Sequence, residues 1–286
     1  MNKLSREERT RVVAALVEGN SIRATVRMTG IAKNTVVKLL AELGAACRDY
    51  HNANVRGLTC KRIQADEIHS FCYAKEKHVP AEKRGQFGYG DVWTWTALCP
   101  DSKLIVSYLV GNRDGWTALD FMQDAAGRIV SERVQITTDG FSGYVGAVGA
   151  AFGDRIDYAM LVKIYGLPWK GLTRAERRFA TPECIGVQRQ TIQGAPDPRH
   201  ISTSFVERQN LTMRMGMRRF TRLTNAFSKK VQNLEHAIAL HFMHYNFCRV
   251  HQTLRVTPAM EARIADHVWT LGELVGVLEV AERQSA

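Results

Sequence analysis

Apolar residues at Val12, Val13, Leu16 and Val17 recur at helical spacing and predict a first helix. Ser5 is placed to cap it, Glu8 three residues later completes a capping box, and Gly19-Asn20 stops it. Ser21 opens a second helix containing Ala24, Val26 and Met28. Thr29-Gly30-Ile31 then makes a tight turn into a third helix, expected over about residues 33–43, with Val36, Leu39, Leu40 and Leu43 facing inward. Two short helices about a glycine-bearing turn form the helix-turn-helix pattern. Residues 48–59 show no clear periodicity and read as a linker.

From about residue 61 the pattern changes to strands. Residues 62–71, 91–98 and 104–110 are β-branched and aromatic, and Pro100-Asp101-Ser102 sets the last two at hairpin distance. A helix over about 116–129, a strand over 134–138 ending in Asp139-Gly140, a small-residue helix over 143–152 and a strand near 158–162 follow. Three early strands followed by alternating helix and strand give an α/β fold class and match the order of a ribonuclease-H-like mixed sheet. Residues 165–200 are rich in glycine, proline and arginine and read as an inserted set of loops with one short basic helix. A helix is expected from about Ser204 to Phe220, and Thr257-Pro258 starts a further one with a cap and a first-turn proline. The expected organisation is a helix-turn-helix domain over 1–47, a linker over 48–60, a ribonuclease-H-like domain over 61–260 with the insertion at about 165–200, and a C-terminal helical tail over 261–286.

Charge sharpens this picture. The chain of 286 residues carries a net +11, distributed unevenly. Residues 1–62 hold 12 Lys/Arg against 5 Asp/Glu, residues 63–164 hold 10 against 13, and residues 165–222 hold 11 against 4. Two basic blocks flanking an acidic centre suit a polyanion gripped on either side of a carboxylate-bearing core. Within the first block, Lys33, Asn34, Thr35 and Lys38 open the third helix, the part that enters the major groove in such motifs, and Arg23 and Arg27 are placed to hold the backbone. A solvated three-helix unit would show the same polar face. No run approaches a membrane span, and the first residues lack the apolar run of a signal peptide, so a cytoplasmic protein is expected. Six cysteines without a C-x-x-C pair suggest free thiols rather than a disulfide framework.

Three acids sit where such a sheet would use them. Asp66 lies in the first strand, Asp139 at the C-terminal end of a later strand, where open α/β sheets place ligands, and Glu207 near the start of a helix. Each has an ordinary reading. Asp66 could be a salt-bridge partner with its neighbour Glu67 the true ligand, since adjacent strand residues normally face opposite ways. Asp139-Gly140 is a common turn, and Ser204-x-x-Glu207 is itself a capping box. Together they suit carboxylates that hold two Mg²⁺ ions for phosphodiester chemistry. His241, His244, Cys248 and His251 recur at one-face helical spacing, which ordinary packing on the sheet explains better than zinc ligation.

The segments Gln64-Ala65-Asp66-Glu67-Ile68-His69-Ser70-Phe71 and Thr137-Thr138-Asp139-Gly140, the run from Ile201 through Glu207 to Arg214, and Tyr245-Asn246-Phe247-Cys248-Arg249-Val250-His251 with Thr257-Pro258-Ala259 resemble the DDE transposases of bacterial insertion sequences, most closely the insertion sequence 1 type. The resemblance spans nearly the whole chain, and its most specific part is the run around Glu207. It implies that Asp66, Asp139 and Glu207 bind the catalytic Mg²⁺ ions, with Mn²⁺ able to substitute. It also implies that Arg214, seven residues after Glu207, contacts the DNA backbone, and that the enzyme acts on double-stranded element ends and target DNA, at least as a dimer on DNA. Arg208 is a further DNA-binding candidate, and a nucleoid-associated place in the cytoplasm is expected. The implied reaction is metal-dependent nicking of element ends followed by in-line attack of the freed 3′-hydroxyl on a target phosphodiester. The cysteine zinc motif of some relatives' N-termini is missing here. The alternative is a non-catalytic helix-turn-helix regulator derived from such an enzyme.

Overall fold

The computed structural model describes residues 3–166, 171, 173, 176, 183–221 and 225–284. Its first helix, α1 (Arg6–Val17), begins in a full capping box: the Glu8 amide donates to Ser5 Oγ at 3.2 Å and the Ser5 amide to the Glu8 carboxylate at 2.8 Å. Ser21 caps α2 (Ile22–Thr29), which ends on Gly30 at φ 73°, a left-handed position natural to glycine.

The third helix departs from expectation. α3 runs 22 residues, Lys33–Asn54, so residues 48–54 are helix rather than linker. Its buried stripe continues through Gly44, Ala46, Cys47 and His51. Beyond Cys47 the anchor is polar: His51 Nε2 lies 3.2 Å from the Ile105 carbonyl, and the Arg128 guanidinium donates to the carbonyls of His51 and Val55 at 3.3 and 3.2 Å. A count of apolar periodicity does not register such an anchor.

The sheet is mixed and six-stranded. β1 (Arg62–Cys72), β2 (Gly90–Leu98) and β3 (Ile105–Gly111) form an antiparallel meander. α4 (Gly115–Arg128) leads to β4 (Val134–Thr138), parallel to β1, and α5 (Gly143–Phe152) to β5 (Ile156–Tyr165), parallel to β4. β6 (Cys184–Gln193) pairs antiparallel with β5 and completes the order β3-β2-β1-β4-β5-β6. β6 corrects the reading of 165–200 as loops. Its residues are mostly exposed, as on an edge strand with little core to bury, so it carries no strong apolar alternation. The short basic helix expected in that stretch lies outside the described residues.

Alternation along β1 divides the core. Ile63 and Ala65 face one side, in a cluster with Phe121 of α4 and Tyr144 of α5. Ile68 and Cys72 face the other, in a cluster with Val206 and Met213 of α6 (Ser204–Gly216) and Leu234 and Ile238 of α7 (Val231–Met243). The chain then passes through one π turn at His244–Cys248 and a single-turn α8 (Pro258–Glu261), capped by Thr257. The histidine stripe is therefore not one continuous α-helix, and His251 falls in the following loop.

The terminal helices close on one another. α9 (Leu271–Gln284) buries Leu274, Val275 and Leu278 in the cluster that holds Val12 and Val13 of α1 and the sheet residues Ile63 and Trp95. Arg6 donates to the Gly272 carbonyl at 2.8 Å, and Arg9 meets Glu282 at 3.1 Å. All six cysteines are free. No helix among the described residues is long and apolar enough to cross a membrane.

Candidate metal centre

The parallel pairing of β1 with β4 sets the site. Ala65 is in register with Thr138, so one further step brings Asp66 alongside Asp139, on neighbouring strands roughly 4.8 Å apart. Asp139 lies just past the end of β4, where its Oδ1 accepts from the Phe141 amide at 3.0 Å. Asp66 Oδ1 accepts from the Glu67 amide at 2.9 Å, and its Oδ2 from Asn210 Nδ2 of α6 at 2.8 Å. Gln64, on the same strand face as Asp66, seats the start of α6 by accepting from the Phe205 and Val206 amides at 2.9 and 3.1 Å.

Glu67 joins this group although it leaves β1 on the opposite face. One carboxylate oxygen of each of Asp66, Glu67 and Asp139 lies within 4.8 Å of the other two. The longer glutamate arm and the position of Asp139 beyond its strand end make this convergence possible. Alternation within a strand therefore does not force a choice between Asp66 and Glu67. The Glu67 carboxylate, 1% exposed, accepts from Arg113 Nε at 2.5 Å and from the Tyr144 hydroxyl at 2.9 Å. Arg113 Nη2 also lies 3.6 Å from Asp139, and its guanidinium rests on the rings of Phe141 and Trp93.

Electrostatics follow from crowding negative charge in a partly desolvated place. Burial, then the charges of Asp139 and Glu67, push the Asp66 carboxyl up to about 7, with Glu207 adding to the rise. Burial and Asp139 raise Glu67 as well, while Arg113 and Tyr144 pull it back. Three hard oxygen donors within reach of one point, strained by mutual repulsion, are a donor set that can hold a metal ion. Asn210 meets Asp66 through its amide nitrogen, and its Oδ1 is buried without a hydrogen-bond partner. This trio is the one group of His, Cys, Asp or Glu among the described residues close enough to hold a metal ion, and the histidines and Cys248 near the C-terminus do not form one.

Glu207 stands apart from that trio. Its charge reaches Asp66, but its carboxylate is ion-paired to Lys163 of β5 and accepts from Thr203 Oγ1 at 2.5 Å. It does not cap its own helix; the N-cap is Thr203, which makes no side-chain capping bond. Arg208 beside it is exposed, and Arg214 is half-buried on the same helix. Arg27, Lys33, Asn34 and Lys38 are exposed on α2 and the start of α3, Thr35 is half-buried, and Lys38 lies 3.6 Å from Glu42. No local sequence pattern marks Arg113, Tyr144 or Lys163. Their partners are fixed only by strand order and register, whereas Asn210 could be inferred from its place one helical turn after Glu207. Comparison with models of known families and with curated proteins gives no match for this chain.

Proposed function

We propose that this protein is a DNA transposase of the DDE type, which nicks the ends of a mobile element and joins the freed 3′-hydroxyl to target DNA. The observation that carries this reading is the convergence of Asp66, Glu67 and Asp139 at the parallel β1–β4 pair. α6 lays Asn210 against Asp66 and carries Glu207 one turn earlier. An antiparallel β3-β2-β1 meander continued by parallel β4 and β5 supports a ribonuclease-H-like reading, with β6 an added edge strand.

In this reading Asp66 and Asp139, backed by Glu67, hold Mg²⁺ or Mn²⁺ as a pair of ions, and Glu207 completes the ligand set once Lys163 releases it. The bound ions supply an activated oxygen nucleophile and neutralise charge on the departing oxygen. The protein's own part is positional. Asn210 fixes the Asp66 carboxylate, Arg113 holds Glu67 against repulsion, and Lys163 is left free to pair with a phosphate. Arg208 and Arg214 serve the DNA backbone near the acids. Arg27, Lys33, Asn34, Thr35 and Lys38 serve duplex recognition as a helix-turn-helix, and two ends are brought together by at least a dimer on DNA.

The test uses a supercoiled plasmid carrying the DNA that flanks the gene. Nicking in Mg²⁺ that is lost in EDTA, and lost in Asp139→Ala while gel-shift affinity is retained, supports the enzyme. Joining of a pre-cut 3′-hydroxyl end to a second duplex separates a transposase from a hydrolytic nuclease. Cleavage that survives EDTA, or that leaves protein covalently attached to DNA, sinks the proposal. A non-catalytic DNA-binding regulator is the second reading. The pairing of Glu207 with Lys163 and of Glu67 with Arg113 favours it, since each acid is already neutralised without metal.

A further inference from the structure

A cavity of about 720 Å³ lies between the amino-terminal helices and α6–α7. It sits at the far end of α6 from Glu207: Gly216 lines it nine residues on, roughly 14 Å along a helix. The loop after α1 approaches closely here, and a Cβ on Gly19 would stand 3.1 Å from the Gly216 carbonyl oxygen.

The lining is one-sided in charge. Arg23, Lys33, Arg218, Arg219 and Lys229 contribute to the wall, and no Asp or Glu does among the described residues. None of the five is ion-paired within the described residues; Arg219 donates to Ser228 Oγ, and Lys229 lies 3.8 Å over the Phe227 ring. Gathering cations without counter-charge costs free energy that an anion would recover. The remaining wall is apolar, with Leu16, Leu40 and Phe227. His241 also lines the cavity, 7% exposed, and its Nε2 has no hydrogen-bond partner. Burial holds this ring neutral, near pKa 3, so its exposed edge adds a polar ring surface to the wall rather than a sixth charge.

A ligand that satisfies all three features combines anionic charge, an apolar surface and polar ring atoms. The volume falls in the range of sites that enclose small organic molecules. We propose that this cavity binds a nucleotide, its phosphate held by the cationic residues and its base against Leu16, Leu40 and Phe227 within reach of His241. Two sources share that chemistry, a free nucleoside phosphate and an unpaired nucleotide at the end of a DNA strand. The second rests on the DNA reading above; the first does not.

The experiment titrates full-length protein in EDTA with a 5′-phosphorylated oligothymidylate, thymidine triphosphate and inorganic phosphate, read by calorimetry. The expected result is nucleotide binding at least tenfold tighter than inorganic phosphate, weakened at least tenfold in the exposed pair Arg218→Glu with Lys229→Glu. Asn233→Trp, which fills the cavity without changing charge, is expected to weaken it equally. Tighter binding of the oligonucleotide identifies a strand end, and equal or tighter binding of the triphosphate identifies the free ligand; either supports the site. Loss in the charge reversal but not in Asn233→Trp would mean surface attraction only and overturns the inference. So does phosphate binding as well as the nucleotides. Because no metal is present, Mg²⁺-dependent nicking without this binding removes the pocket alone, and this binding without nicking removes the enzyme alone.

Discussion

Arg113 and Glu67 form the tightest link in the acidic group, a 2.5 Å contact from Nε to a carboxylate that is 1% exposed. Arg113 holds the place of a cation there, and a metal ion bound to the same carboxylates would compete with it. Arg113→Met keeps most of the arm and removes the charge. Stability without metal should fall by about 2 kcal/mol, below the ~3–5 kcal/mol seen when a wholly buried pair is broken, because Arg113 itself is partly exposed. Mn²⁺ should bind the variant several-fold tighter and raise its melting temperature by more than it raises that of the parent protein. Equal Mn²⁺ affinity in both proteins would place the ion elsewhere.

The Asp66 carboxyl titrates near 7 rather than near 3.8, and this has a definite sign. The folded protein holds that proton more tightly than the unfolded chain does. Its contribution to stability is therefore complete below about pH 4 and is lost as pH rises through about 7. Glu67 shifts in the same direction. Metal-free protein should lose stability across this window relative to Asp66→Asn, with a difference slope of at most ~1.4 kcal/mol per pH unit for one proton. Saturating Mg²⁺ should flatten the difference, since metal favours the ionised form. Parallel denaturation curves for the two proteins from pH 4 to 8 would show that the carboxyl is not perturbed.

Much of this arrangement was legible in sequence because it rests on short-range pattern. The capping box at Ser5 and Glu8, the strand before Asp139 and the helix over Gly143–Phe152 all follow from local spacing. What escaped depends on contacts across the fold. α3 continues to Asn54 because Arg128, more than seventy residues later, donates to carbonyls at its end. β6 is an exposed edge with little alternation to read. Asp66 and Asp139 could be paired from their strand positions, but the entry of Glu67 into their group needed the three-dimensional register, and so did the diversion of Glu207 to Lys163.

That diversion is itself testable. Glu207→Gln should leave the first Mn²⁺ bound within about twofold, because Asp66, Glu67 and Asp139 form a group without it. Asp139→Asn should weaken that ion at least tenfold. If Glu207 completes the reacting centre, its loss should nonetheless reduce nicking at least a hundredfold, with DNA affinity unchanged. Calorimetry with Mn²⁺ and plasmid relaxation measure the two effects separately, and a parallel loss of both would assign Glu207 to the first ion instead.

Gly44 reports whether the amino-terminal helices fold as an independent unit. A Cβ at this position would stand 2.5 Å from both Cβ and the carbonyl oxygen of His236, because α3 and α7 pack backbone against backbone there. The obstacle is main chain and cannot rotate away, so the two helices must separate. Gly44→Ala gains helix propensity worth up to ~1 kcal/mol, and overpacking of ~1–3 kcal/mol should outweigh it, for a net loss of up to about 2 kcal/mol. Val12 and Val13 share one apolar cluster with Leu40, Ile63, Trp95 and Leu274. The loss should therefore appear as a single unfolding transition moved to lower denaturant, followed alike by tryptophan fluorescence, to which Trp93 and Trp95 of the sheet contribute, and by helical circular dichroism. An early helical transition that leaves the fluorescence midpoint unchanged would instead mark residues 1–47 as a separately folding module.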